Sequence, residues 1–385
     1  VFFYLETIFQ KKFDDWSQRI MSQLLERPID VWLDEDLLLR GVRPHPLLMH
    51  LTPPDTNPEL KFWNLLRNQL KDFVKVHTFK RLEEAGHLIV IPNPLQDYIH
   101  TRKLGEVLKF KDRVLASGRT PVLTTGLEYS PQSKEIVFSM STYRLSLSDG
   151  MIPTPAWLYD LGSKILPLPK PTKPTVGFVG ASRYPGRLNT LVSYLPIPGS
   201  VIEKTMCSAH INGVLSLGMR QPFAQRLRGK VLNEARKSLY LDTSFIIRKS
   251  GFFDTRSIDA KEKARSEYLQ NIQDNAYTLC IRGTENYSYR LYEVMSAGRI
   301  PIIIDTNMQL PNLNAFGRWD EFSVIVPSSK VNHLGEIVQE FHNRLSNEEF
   351  ESACYKSRAA FEYLLPHQFV LRTLQQKLQK LMIDD

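Results

Sequence analysis

Cysteine is scarce. Three occur in 385 residues, Cys207, Cys280 and Cys354, odd in number and too far apart to make metal-ligand pairs. That excludes a disulfide framework and suits a reducing compartment. Long apolar runs are also missing: nothing approaches the roughly 20 consecutive apolar residues of a membrane-spanning helix. Val1-Phe2-Phe3-Tyr4-Leu5 is apolar, but Lys11, Lys12, Asp14 and Asp15 arrive too soon for a signal peptide. The chain does not start with Met, so a removed upstream anchor or domain is compatible with it. Low-complexity tracts are absent. The one Asn-x-Ser/Thr sequon is Asn286-Tyr287-Ser288, and a glycan there would crowd the candidate site described below, which argues against the secretory pathway.

What the chain does have is length, apolar content and positive charge. At 385 residues and 42% apolar, it exceeds one comfortable core and suits two domains. A net charge of +8 permits nucleic acid, an anionic membrane surface or phosphorylated ligands. The basic run Arg226-Leu227-Arg228-Gly229-Lys230 lacks the stacking aromatics of a single-strand binder and reads as a solvated face.

Along the chain, apolar residues at helical spacing over 2–24 predict an amphipathic opening helix. Pro46–Leu51 reads as a strand, Leu60–Leu70 as a helix, Phe73–Phe79 and His87–Pro92 as strands. Thr101–Ala116 reads as one helix, then Pro121–Thr125 and Glu135–Ser139 as strands. Strands alternating with helices predict a parallel α/β domain. Prolines crowd 153–174, an extended stretch that no core strand tolerates, so the domain junction is placed there. Thr175–Gly180 opens a second α/β unit. Arg228–Lys237 is helical, and Leu239–Ile247 mixes strand and loop signals. Further on, Ser346-x-x-Glu349 is a capping box, and Leu371, Leu374, Leu378 and Leu381 form a last amphipathic stripe.

The informative stretch is Tyr277 to Pro327. Tyr277–Ile281 is a strand-like apolar run ending at Arg282-Gly283. A polar loop follows, with Asn286 or Ser288 as a helix cap. Tyr289–Ala297 carries helix formers, Gly298 closes the helix, and Pro301–Ile304 and Phe322–Val326 are further strands. This βαβ order gathers ligands beyond the carboxyl ends of its strands. A helix opening at Ser288 offers free N–H groups to a phosphate, and Arg290 can add a bidentate contact. Glu293, one turn on along the same face, can accept from ribose hydroxyls. The set suits a nucleoside diphosphate. An exposed Arg290–Glu293 ion pair is the plain alternative.

Leu279-Cys280-Ile281-Arg282-Gly283, Ser288-x-Arg290-x-x-Glu293, Ala297-Gly298-x-Ile300-Pro301-x-Ile303-Ile304 and Leu310-Pro311…Trp319…Phe322-Ser323-Val324-x-Val326, in that order, resemble the exostosin-type glycosyltransferases. The resemblance is specific over about 275–330. It implies an α/β fold of GT-B type, two facing Rossmann-like domains with a final helix returning to the first, and transfer of a sugar from a nucleotide donor. Applied to this chain, it places an acceptor-side domain at 1–165, a nucleotide-sugar domain at 166–365 and the returning helix at 366–385. Arg282, Gly283, Ser288 and Arg290 would face the diphosphate and Glu293 the ribose. Arg183, after the strand at 175–180, and Asp305, at the end of another, join them as candidates. Each has a turn-forming alternative.

Asp34-Glu35-Asp36 matches the acidic triplet with which another glycosyltransferase class holds a divalent ion, but it reads better as a helix-start cluster. Arginines and a helix dipole would stabilise the leaving diphosphate instead, so no metal and no cofactor are expected. Inversion needs a general base from the first domain. Glu128 and Asp97 qualify by position, with His45 and His50 behind them, although a loop carboxylate more commonly caps a turn. The expected partners are a UDP- or GDP-linked sugar and an oligosaccharide or lipid-linked glycan, with peripheral membrane contact and no nucleic acid. The expected setting is cytoplasmic, at the inner membrane face in a bacterium, or the Golgi lumen in a eukaryote. Two rivals stay open: a nucleotide-sugar-binding module without turnover, and a basic nucleic-acid-binding protein.

Overall fold

The computed structural model describes residues 28–57, 60–127, 129, 131, 134–144, 147–157, 159–162, 168–181, 220–248, 258–313 and 316–381. The opening helix expected over 2–24, and Arg183, Cys207 and Glu128, lie outside the described residues.

Two sheets organise the chain, and every strand pair in both is parallel. The first has six strands in the order β2-β1-β3-β4-β5-β6. They are β1 Ile29–Leu33, β2 Val74–Thr78, β3 Leu88–Val90, β4 Thr120–Thr125, β5 Ile136–Ser139 and β6 Met151–Pro153. The second has five in the order β11-β10-β9-β7-β8. These are β7 Thr175–Ala181, β8 Asp242–Arg248, β9 Tyr277–Cys280, β10 Ile300–Asp305 and β11 Val324–Pro327. In each sheet the order reverses between its first and third strands, and that reversal opens a crevice at their carboxyl ends.

Helices α1 Lys61–Phe73, α2 Leu95–His100 and α3 Leu104–Ala116 cover the first sheet. Around the second stand α4 Arg220–Lys237, α5 Ile258–Asp274, α6 Tyr289–Ser296, α7 Leu334–Asn343 and α8 Asn347–Tyr363. Val231, Leu232, Ala235, Val338 and Phe341 pack on one face of the second sheet. Ile272, Leu291, Val294 and Met295 are buried in another cluster, which runs on without a break to Leu48, Trp63 and Leu66 of the first half. The final helix, α9 Pro366–Leu381, packs on α1, and Phe369, Val370 and Leu371 belong to the same shared core. Trp157 lies edge-on to both Trp63 and Phe369 and donates to Leu364 O at 2.7 Å. The architecture is therefore α/β, two parallel Rossmann-like sheets with a returning C-terminal helix, the GT-B arrangement.

Several expectations need correction. Pro46–Leu51 is a 3₁₀ helix rather than a strand. Pro46 fits its first turn, and His45 Nδ1 accepts from Leu47 N at 3.2 Å, so local hydrogen bonds satisfy a run that periodicity alone could not classify. The helix expected over Thr101–Ala116 is present from Leu104 to Ala116; a short helix, Leu95–His100, went unread before it, and Arg102 at a φ of +61° separates the two. Leu239–Ile247 resolves into an edge strand, β8, that is only partly buried. The capping box is present as read: Ser346 Oγ accepts from Glu349 N and Glu349 from Ser346 N. Gly298, at φ +60°, closes α6. Among the described residues no helix is long and apolar enough to cross a membrane.

Candidate functional site

The crevice of the second sheet lies between the ends of β7 and β9, and arginines furnish it. Arg290, in the first turn of α6, donates Nη2 to Val179 O and holds its guanidinium 4.3 Å from the Phe178 ring centre. Arg228, on α4, donates to Ala181 O at 2.7 Å and to Arg282 O at 3.2 Å, 6.0 Å from the same ring. The Nε atoms of both are buried without a hydrogen-bond partner. Burial, with the like charge of Arg290 nearby, pulls the Arg228 guanidinium down to about 10. Two half-buried cations thus converge on the strand ends, an arrangement that an anion would stabilise. Gly180 makes room for it, since a Cβ there would stand 3.2 Å from Arg290 Nη2.

Glu293 is nearly buried, at 9% exposure, and accepts from Tyr268 Oη at 2.6 Å. Burial and the facing carboxylate hold that phenol well above its usual range, so it stays a donor. Tyr268 also lies 5.8 Å from the Arg290 guanidinium. Arg290 and Glu293, read from the sequence as one face of a helix, do stand together at this crevice. Ser288 is the N-cap of α6; its side chain makes no capping bond, and its carbonyl accepts from Leu291 N at 3.2 Å. Gly283 N donates to Tyr287 O at 3.0 Å, which shapes the loop between.

Three other candidates face the first half of the chain. Arg282, 3% exposed, donates to Tyr143 Oη at 3.0 Å and to Thr284 O at 2.8 Å. Asp305 accepts from Met308 N at 3.2 Å and pairs with Arg144 at 2.7 Å. Asn286 is fully buried: its N–H donates to Ser141 Oγ, its Nδ2 to Thr142 O, and its Oδ1 accepts from Thr306 Oγ1. It is therefore a tether rather than a helix cap, and its amide is not free to carry a glycan. These contacts bring the loop after β5 against those after β9 and β10, so the carboxyl edges of the two sheets meet.

On the first half, Asp97 sits half-buried in the first turn of α2, and burial raises its carboxyl above the usual range. His45 is wholly buried and held down at about 3. It is neutral at any working pH. Partial burial likewise lowers His50, with Arg67 and Lys71 adding to the effect. Asp34 caps the turn Glu35–Leu37 by accepting from Asp36 N at 3.0 Å, the local role read for that acidic triplet.

The sequence missed Arg228 and Tyr268. The run 226–230 does have a solvated side, since Arg226 and Lys230 are exposed, but Arg228 points inward. It shares a helical stripe with buried Ala224, Val231 and Ala235, at steps of four, three and four residues. That spacing was legible.

Residues 228–341 match the Exostosin GT47 domain. A probable glycosyltransferase of Arabidopsis thaliana is 32% identical over 84 residues, 22% of this chain and 16% of the relative. The chain thus spans about a sixth of that relative's length. Among solved structures, HepE from Anabaena, in complex with UDP, aligns over 91% of this chain and 99% of its own at 10% identity and a TM-score of 0.37. TarM aligns over 67% and 50% at 10% identity and a TM-score of 0.33. With TM-scores this low, the strand order of the chain itself carries the fold. The stretch that matches, residues 228–341, spans Arg228, Arg282, Arg290 and Glu293, so the candidate crevice lies within the part of the chain that is similar to the exostosin-type glycosyltransferases.

Proposed function

We propose that the protein is an inverting glycosyltransferase that moves a hexosyl or pentosyl unit from a UDP- or GDP-linked donor to a glycan acceptor in polysaccharide synthesis, with no required metal. One observation carries this reading: Arg228 and Arg290 converge on the β7/β9 crevice with buried, unpartnered Nε atoms. The diphosphate would lie there, with Ser288 at the N-terminus of α6 offering a backbone N–H group, Gly283 shaping the loop, and Arg282 and Arg183 flanking it. Glu293, oriented by Tyr268, would accept from the ribose hydroxyls. The carboxyl edge of the first sheet would present the acceptor, and the chain would divide at 165 and 365 into acceptor domain, donor domain and returning helix.

In the reaction the acceptor hydroxyl attacks the anomeric carbon as the bond to the diphosphate breaks. A base takes the hydroxyl proton, and the fixed arginines stabilise the charge growing on the departing phosphate. Asp97 and Glu128 are the base candidates. The raised pKa of Asp97 brings it nearer the working range of a base. Asp305, engaged with Arg144, would fix the edge of the donor loop.

Calorimetric titration with UDP and GDP, followed by product analysis with a panel of their sugars, tests the proposal. A nucleoside diphosphate should bind, its affinity should fall in Arg290→Ala and Glu293→Ala, and one sugar should be transferred. Undiminished affinity in both variants would remove the crevice from the reaction.

A further inference from the structure

Between the donor crevice and the first sheet stands a pair of tyrosines that the donor chemistry leaves unused. Tyr287 and Tyr289 meet edge to face, ring centres 5.2 Å apart, and Tyr287 Oη donates to Tyr289 Oη at 3.3 Å. Tyr289 stays 37% exposed, and it immediately precedes Arg290. Tyr287 reaches the other half: a Cβ on buried Gly126, just past β4, would lie 2.8 Å from Met140 Cε, 3.5 Å from Tyr287 Oη and 3.6 Å from Gln96 Nε2. Gln96 spends its amide oxygen on Gly126 N at 2.9 Å, which leaves its two amide hydrogens to point elsewhere. Asp97 follows it in the same helical turn.

From this geometry we infer that Tyr287 and Tyr289 of the second half, with Gln96 and Asp97 of the first, form the subsite that binds the acceptor as a sugar ring. The inference rests on the glycosyltransferase reading and names where and how the acceptor is held. A sugar has an apolar C–H face and a polar rim. The face suits the electron-rich side of an exposed tyrosine ring, and the rim suits a few placed polar groups such as the Gln96 amide. The bare backbone at Gly126 lets Met140, Tyr287 and Gln96 close together behind the subsite. Held there, the acceptor would touch residues next in sequence to Asp97 and to the donor arginine. The two halves then contribute to one subsite, which gives their contact a chemical purpose.

The test uses the whole chain on an array of oligosaccharides, read with and without UDP, alongside UDP affinity by calorimetry. Tyr289→Ala should weaken saccharide binding at least tenfold and leave UDP affinity within about twofold, while Tyr289→Phe, which keeps the ring, should retain most binding. Gly126→Ala, whose new methyl would press on Met140, Tyr287 and Gln96, should weaken saccharide binding by displacing the two that line the subsite. Three results would overturn the inference: no saccharide bound by the wild type, saccharide binding indifferent to Tyr289→Ala and Gly126→Ala, or a loss of UDP affinity as large as the loss of saccharide. Failure of the donor reading looks different. There UDP affinity ignores Arg290→Ala while saccharide binding still follows Tyr289.

Discussion

The two sheets share one strand order, yet their crevices are finished in opposite ways. Between β1 and β3 the chain fills the gap with its own neutral groups. Asn93 Oδ1 accepts from Leu39 N at 2.8 Å, Asn93 N donates to Tyr98 Oη at 3.2 Å, and Tyr98 Oη donates to Leu37 O at 2.9 Å. Asn93 and Tyr98 are both fully buried. Between β7 and β9 the corresponding space holds guanidinium groups that repel one another. Topology supplies a crevice at both places, and side-chain chemistry decides which one is left charged. The first is closed by satisfied hydrogen bonds and serves stability. The second keeps a destabilising concentration of charge, the kind of local cost that marks function.

Exchanging their roles by mutation would break that contrast. The largest expected effect is on binding. Arg290→Ala should weaken nucleoside diphosphate affinity by about 2–3 kcal/mol, roughly 30- to 140-fold, the usual worth of a charged hydrogen bond. Calorimetry reads it directly, with thermal stability near wild type. Next comes Asn93→Ala, which should lower stability by about 1–3 kcal/mol in urea unfolding and leave nucleotide affinity unchanged. If nucleotide affinity falls instead, the first crevice is no mere plug. The smallest concerns acid. His45, beside the first crevice, has its pKa lowered by burial from 6.5 to about 3, so the unfolded chain binds its proton first. Stability should therefore fall as pH drops from about 6.5 toward 3. His45→Asn, which keeps an acceptor for Leu47 N, should move the acid unfolding midpoint downward. An unchanged midpoint would assign acid sensitivity elsewhere.

The second crevice was more legible in the sequence than the first, for physical reasons. Tyr277–Cys280 and Ile300–Ile304 are buried on both faces, so they appear as continuous apolar runs punctuated by glycine and proline. By contrast β1, Ile-Asp-Val-Trp-Leu, alternates its burial and is too short to stand out beside its charged neighbours, so it went unread. The same happened to α5, where buried Ala264 and Ile272 are diluted among charged residues. Contacts across the chain were invisible in principle. Arg144 and Asp305 stand 161 residues apart, and neither carries a local sign of the other. The role of Arg228 was hidden only because its run was judged by charge rather than by helical phase.

The unbroken apolar cluster beneath Trp157 and Phe369 has a mechanical consequence. A hinge needs surfaces that can part at little cost, and here parting the halves would wet Trp63, Trp157 and Phe369 together. Heating should therefore give one cooperative calorimetric transition rather than two, and severing the chain in its proline-rich stretch should leave two insoluble pieces. Movement around a substrate would then be confined to side chains and loops at the rim, over a body that melts as a single block.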